Sequence, residues 1–158
     1  MKTIEMELAV AQFFNWRVNT IVPNLSWGMG LHECDLLIIT PQGYATEVEI
    51  KISLSDLKKD QLKEHKHNDK RIKRLYFAIP ESLLKHSHLI PERAGILVVR
   101  NIDVTQNVWD TVKINRHPQV VNEGKFTEDE IKRITKLGTM RIWPLKKKII
   151  NNFKSGKN

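Results

Sequence analysis

Two short apolar segments joined by a turn constrain the fold of this chain more than any other feature. The first segment runs from Glu33 to Ile39 and the second from Tyr44 to Lys51, with Thr40-Pro-Gln-Gly43 between them. Segments of this length, rich in Ile, Val and Leu and separated by a short loop that contains glycine, are typical of a β-hairpin. The sequence therefore predicts two neighbouring antiparallel strands.

The hairpin also carries an unusual concentration of acidic side chains. Because successive side chains of a strand point to opposite faces, Glu47, Glu49 and Lys51 are expected on the same face. If the hairpin is symmetric about Gln42, Asp35 lies opposite Glu49, within cross-strand contact range. Like charges in that position destabilise a sheet unless a cation or substrate holds them. The pattern therefore indicates a binding site.

An Asp, a hairpin turn and then Glu-x-Lys form the motif of the PD-(D/E)XK nuclease superfamily, which the hairpin resembles. The residues that match are Asp35 and Glu49-Ile50-Lys51. Within the superfamily, the chain is most similar to small phage-type and MmcB-like DNA repair proteins. That closer similarity depends on the stretches 47–53 and 75–80 together with Asp56 and Asp60, and the resemblance covers roughly the first hundred residues.

The resemblance implies an α/β fold with a restriction-endonuclease-like core in the order α-β-β-β-α-β, in which helices flank a central mixed sheet. It also implies a metal-dependent DNA nuclease that acts in DNA repair or phage DNA processing and uses Mg²⁺ or Mn²⁺. Asp35 and Glu49 would bind the metal, with the backbone carbonyl of Ile50 as a third ligand. Glu7 of the first helix would be a further catalytic carboxylate, for a second metal or a bound water. Lys51 would orient the attacking water or stabilise the developing negative charge.

Charge suggests the partner of such a site. The chain has 26 basic and 18 acidic residues, a formal net charge of +8. Since acids concentrate in the hairpin while bases cluster at 70–74 and 146–148, the surface is suited to a phosphate backbone. The basic residues expected to contact DNA are Lys58, Lys59, Lys63, His65, His67, Lys70, Arg71, Lys73 and Arg74.

The remaining helices and strands are predicted from the spacing of apolar residues and from the residues that end helices and strands. With 158 residues, one domain spanning 1–158 is expected, with a core over about 1–100 and a C-terminal helical extension over about 127–153. Helices are predicted at 4–16, 53–65 and 81–88, and strands at 20–25, 74–80, 95–100 and 108–114. A helix from 127 is expected to end or bend at Gly138, before a last amphipathic stretch at 145–153.

Composition excludes several classes. No apolar run approaches the roughly 20 residues that span a bilayer, and the N-terminus lacks a signal-peptide pattern, so no membrane partner is expected. The single cysteine, Cys34, is interpreted as a small core residue, which suits a reducing, cytoplasmic setting. Zinc is not favoured, because the two histidine pairs lie on different elements.

Two alternatives to the nuclease stay open. The chain could be a catalytically inactive nucleic-acid-binding module on the same fold, since a fold does not guarantee an activity. It could also be a small interaction protein whose acidic hairpin is merely solvated. Oligomeric state, the form of DNA, and endonuclease versus exonuclease action are not predicted.

Overall fold

A computed structural model of the protein describes residues 2–25, 30, 33–60, 69–100 and 111–154. The elements, in chain order, are α1 (Thr3–Phe13), β1 (Thr20–Leu25), β2 (Cys34–Ile39), β3 (Ala45–Ile50), α2 (Leu54–Asp60), β4 (Ile72–Pro80), a 3₁₀ helix (Glu81–Leu89), β5 (Gly95–Val99), β6 (Val112–Arg116) and α3 (Glu128–Lys154). The first six therefore follow the order α-β-β-β-α-β.

The six strands form one sheet in which neighbours in sequence are neighbours in space. Strands β1, β2 and β3 are antiparallel, β3, β4 and β5 are parallel, and β6 returns antiparallel to β5. Parallel neighbours require crossover connections, and α2 and the 3₁₀ helix lie in the two crossovers. The expectation of a mixed sheet flanked by helices is confirmed.

Alternating apolar side chains build a layer on each face of the sheet. On one face, Met6 and Val10 of α1 pack in a cluster with Leu36, Val48 and other strand residues. On the opposite face, α2 and the 3₁₀ helix cover β4 and β5, while α3 covers the edge formed by β1 and β2. Both faces of the central strands are covered, which explains why all six residues of β3 are buried despite its two glutamates.

The C-terminal region corrects a prediction. We expected the helix from 127 to end or bend at Gly138, but α3 is one helix of 27 residues that continues through both Gly138 and Pro144. A Cβ atom at position 138 would lie 3.2 Å from Cγ2 of Val22, so the glycine lets the helix pack closely against β1. The glycine serves close packing and does not end the helix.

Smaller corrections concern the element boundaries. The segment over 81–88 forms a 3₁₀ helix, and the last edge strand is shifted to Val112–Arg116. The second helix ends at Asp60 among the described residues, and its predicted continuation to 65 lies outside them. No helix in the described ranges is long and apolar enough to cross a membrane.

Candidate functional site

The hairpin register brings the predicted acids together. Leu36 pairs with Val48 and Leu37 with Glu47, so the hairpin is symmetric about Gln42 as predicted. The backbone N–H of Ile50 donates a hydrogen bond of 2.7 Å to Oδ2 of Asp35. The Asp35 carboxylate is thus tied to the end of β3, where Glu49 and Lys51 follow one another on the strand.

A single ammonium group joins the acids of this region. Nζ of Lys51 lies 2.5 Å from Oε2 of Glu49, 2.9 Å from Oδ1 of Asp60 and 3.8 Å from Oδ2 of Asp35. The four side chains come from β2, the end of β3 and α2. Three elements therefore converge on one cationic centre, which we call the Lys51 cluster.

Burial makes the Lys51 cluster energetically demanding. Glu49 is 1% exposed and Lys51 is 7% exposed, and buried charges destabilise a fold unless they are paired and hydrogen-bonded. Burial by itself would lower the pKa of Lys51, but the charge and hydrogen bond of Glu49, followed by those of Asp60, raise the pKa above its ordinary value. Lys51 is therefore a fixed cation, and the interpretation of the hairpin as a solvated acidic surface is wrong.

Asp60 was absent from the predicted site residues, although it is 8% exposed and contacts Lys51 directly. The signal that could have found it is helical spacing, since Asp60 follows the buried Leu57 by three residues on α2. A carboxylate on the buried stripe of a short helix needs a partner, and the Lys51 ammonium is that partner. Glu47, which was expected on the same face as Glu49 and Lys51, is fully buried on β3.

Glu7 approaches the site from α1, on the other face of the sheet. Its carboxylate is half-buried and accepts a hydrogen bond of 3.4 Å from Nδ2 of Asn24. Burial raises the pKa of Glu7, the Asn24 hydrogen bond opposes that shift, and the charge of Asp35 adds to it. The charges of Glu7 and Asp35 therefore interact.

The donor chemistry of the cluster suits a hard cation. In the described ranges, no group of three or more His, Cys, Asp and Glu residues is arranged to hold a metal ion. Mg²⁺, however, is commonly bound through one or two carboxylates together with waters and substrate phosphates. Asp35 and Glu49 supply two such carboxylates, and the Asp35 side chain is 32% exposed.

The predicted DNA contacts fall into two places. Lys58 and Lys59 are exposed on α2, directly before Asp60, and so lie next to the Lys51 cluster. The stretch 70–74 lies near the opposite end of the parallel strands, because Arg74 pairs with Thr46 while Ala78 pairs with Ile50. At 3.3 Å per residue, these two pairs are about 13 Å apart along the sheet.

Within the stretch 70–74, each basic side chain has different surroundings. Arg71 lies 2.7 Å from Asp69 and 2.9 Å from Glu130, which links the start of β4 to α3. The hydrogen bonds that the Arg71 guanidinium donates to the Asp69 carboxylate are the main cause that raises the pKa of Arg71. Lys70 is exposed, Lys73 lies 3.8 Å from the centre of the Tyr44 ring, and Arg74 is half-buried. Lys63, His65 and His67 lie outside the described residues.

Comparison with known proteins identifies the family of the chain and a solved structure with a similar fold. Residues 2–117, from α1 through β6, match the family described as DNA repair protein MmcB-like. The chain therefore belongs to the MmcB-like DNA repair protein family, which confirms the closer of the two resemblances seen in the sequence and gives the chain a DNA-related role.

A solved structure has the same overall fold. It is the SPO1766 protein of unknown function from Silicibacter pomeroyi, with a TM-score of 0.53 and 15% sequence identity. The alignment covers 95% of this chain and 89% of that one, and at this identity it shows the fold alone. No curated protein matches the chain.

Proposed function

We propose that this protein is a metal-dependent nuclease that hydrolyses DNA phosphodiester bonds in the repair role of its family. The observation that supports this most directly is the Lys51 cluster, in which Asp35, Glu49 and Asp60 contact one buried lysine. Buried charge has a cost in stability even when it is paired, and clusters of buried ionisable groups are often found at functional sites. The α-β-β-β-α-β order of the first six elements supports a restriction-endonuclease-like core of the PD-(D/E)XK type.

In this proposal, Asp35, Glu49 and the backbone carbonyl of Ile50 hold Mg²⁺ or Mn²⁺, with Glu7 as an additional carboxylate. The bound metal would neutralise charge on the scissile phosphate and lower the pKa of a water nucleophile. Lys51 would then have the electrostatic part, because an ammonium next to the metal-binding carboxylates could stabilise the negative charge that develops on a phosphate oxygen in the transition state.

In the same proposal, Asp60 positions the Lys51 ammonium. Glu49 contacts Lys51 in the structure, so a cation and Lys51 compete for the Glu49 carboxylate. Asp60 is a second acceptor for Lys51 at 2.9 Å and can retain the ammonium when Glu49 turns to a cation. On the outer side of α2, Lys58 and Lys59 are exposed where they can bind the flanking phosphates.

The test is cleavage of labelled single-stranded and duplex DNA by the full chain, with Mg²⁺, with Mn²⁺ and with a chelator. We expect cutting that requires the metal and is lost in Asp35→Asn and in Lys51→Ala. Asp129→Asn is the matched control, because this carboxylate is 84% exposed at the start of α3. Thermal unfolding of every variant separates loss of activity from loss of folding.

The result also decides between the two functional alternatives. Binding of DNA without cutting under any metal condition would contradict the nuclease and favour the inactive nucleic-acid-binding module. Metal-dependent cutting that survives in Asp35→Asn would place the active site elsewhere in the chain.

A further inference from the structure

An apolar cavity opens on the face of the sheet that α1 covers, opposite the face that carries Glu49 and Lys51. It has a volume of about 270 Å³, and its wall includes Leu8, Ala11, Trp16, Pro23 and Leu145. These residues come from α1 and the turn after it, from β1 and from α3. Clefts and cavities that bind drug-sized ligands have roughly 300–1,000 Å³, so this slightly smaller, open cleft has room for a planar ring system.

The cavity is adjacent to the proposed catalytic carboxylates. Glu7 and Leu36 also line it, and Leu36 directly follows Asp35 on β2. Glu7 lies close enough to Asp35 for their charges to interact. A group bound in the cavity would therefore lie next to Glu7, one of the proposed catalytic carboxylates.

The rim of the cavity carries positive charge. Leu145 of α3 lines the cavity. Arg141 lies four residues before Leu145, and Lys148 lies three residues after it. Residues at these spacings are neighbours on one face of a helix. From Ile131 onward the chain contains no Asp or Glu, so this face of α3 has no opposing charge of its own. Among the described residues, Glu7 is the one acidic side chain in the wall of the cavity, and the cavity with these flanking bases is complementary to a nucleobase that is attached to phosphates.

We propose that this cavity binds one unpaired nucleobase of a DNA strand, with the adjoining phosphates held by Arg141 and Lys148. Trp16 is 46% exposed at the cavity and supplies an aromatic surface on which a base can stack. The proposal rests on the proposed function and specifies its substrate as DNA with single-stranded or unpaired nucleotides, because a base inside a duplex is already stacked and paired.

The test measures affinity for two labelled probes, with a chelator present so that cutting does not interfere. One probe is a short oligothymidylate, and the other is an oligomer of abasic sugar-phosphate units with the same length and charge. We expect the full chain to bind the first probe more tightly. Trp16→Ala should weaken oligothymidylate binding by about 5-fold or more, the value of one stacked base, with the abasic probe unaffected.

Three further variants make the test specific. Ala11→Met fills the cavity while leaving Trp16 in place, and it should remove the preference for bases. Arg141→Gln with Lys148→Gln should weaken the binding of both probes equally, since both probes contain phosphates. Trp143→Ala is the control, because Trp143 is 66% exposed and lies two residues, or about 200°, around α3 from Leu145.

Equal affinity of the wild-type chain for the two probes would overturn the proposal, as would a preference for bases that survives both Trp16→Ala and Ala11→Met. These outcomes differ from failure of the nuclease proposal. A chain that prefers bases but never cuts retains the cavity function, and a chain that cuts without preferring bases retains only the nuclease.

Discussion

At the scale of single residues, Lys51 has two roles that are difficult to separate. It neutralises carboxylates that would otherwise be buried without a countercharge, and it is the proposed electrostatic catalyst. Removing one partner of a buried ion pair leaves the other charge uncompensated, which typically destabilises a protein by about 3–5 kcal/mol. The stability of the fold and the function of the site therefore depend on the same atom.

This dependence gives a prediction that needs no activity assay. Lys51→Met should lower the free energy of unfolding by about 3–5 kcal/mol in the presence of a chelator. Mg²⁺ or Mn²⁺ should restore part of that loss, because a cation that binds the freed carboxylates stabilises the folded state by mass action. The measurement is chemical denaturation with and without metal.

Lys113→Met is the control, since Lys113 is exposed on β6 and its replacement should change stability by less than about 0.5 kcal/mol. If metal raises the stability of Lys51→Met no more than it raises that of Lys113→Met, the carboxylates do not form a cation site.

At the scale of elements, α3 shows how one glycine can determine packing. The N-terminal half of the helix is held through Ile134, which is fully buried, while residues 142–154 are all exposed. A Thr127–Glu130 capping box begins the helix as predicted, with hydrogen bonds of 2.8 and 3.3 Å. Gly138 is a point of close approach to the sheet, where Val22 faces it.

We predict that Gly138→Val destabilises the protein by about 1–3 kcal/mol, the usual effect of extra atoms in a packed contact. The branched side chain would have to occupy space held by Val22, and the gain in helix propensity over glycine is less than about 1 kcal/mol. Thermal or chemical denaturation measures the change.

Lys136→Val introduces the same side chain at an exposed position of α3 and should change stability by less than about 0.5 kcal/mol. An equal effect of the two substitutions would show that the close contact with β1 does not contribute to stability.

At the scale of the whole molecule, charge is separated between the interior and the surface. Asp35, Glu47 and Glu49 of the hairpin are buried or lie at the Lys51 cluster, while α2, Lys70 before β4 and α3 carry exposed bases. The net charge of +8 is thus displayed outward, where it can attract a polyanion and raise its rate of association.

If α3 lies along the DNA, removing its bases should change the salt dependence of binding. Each phosphate contact to a single strand contributes about 0.7 to the slope of log affinity against log salt concentration, so Lys146→Gln with Lys148→Gln should reduce the slope by about 1.4. The measurement is a salt titration of binding to single-stranded DNA with a chelator present.

Lys85→Gln with Lys113→Gln removes the same charge from the 3₁₀ helix and β6. That control should leave the slope nearly unchanged. Equal reductions in both double variants would mean that net charge, and not the position of α3, determines binding.

The strands β1, β2 and β3 were predictable because the sequence patterns that indicate them are local. The edge strand Thr20–Leu25, the hairpin and its symmetry about Gln42 follow from alternation, turn residues and the proline of β1, all within a few residues of one another. Since the period of a strand is two, that register alone brings Asp35 beside Glu49 and Lys51. The stretches 47–53 and 75–80 also indicated the MmcB-like family, which the comparison confirmed.

What the sequence by itself determined is therefore the hairpin, its acidic face and the family to which the chain belongs. Only the tertiary structure decided that Asp60 contacts Lys51, that α3 continues past Gly138, and that the bases at 70–74 lie near the far end of the strands. Each of these depends on contact between segments distant in the chain. The free energy of such contacts comes from burial and charge pairing across the sheet, which no local pattern of residues encodes.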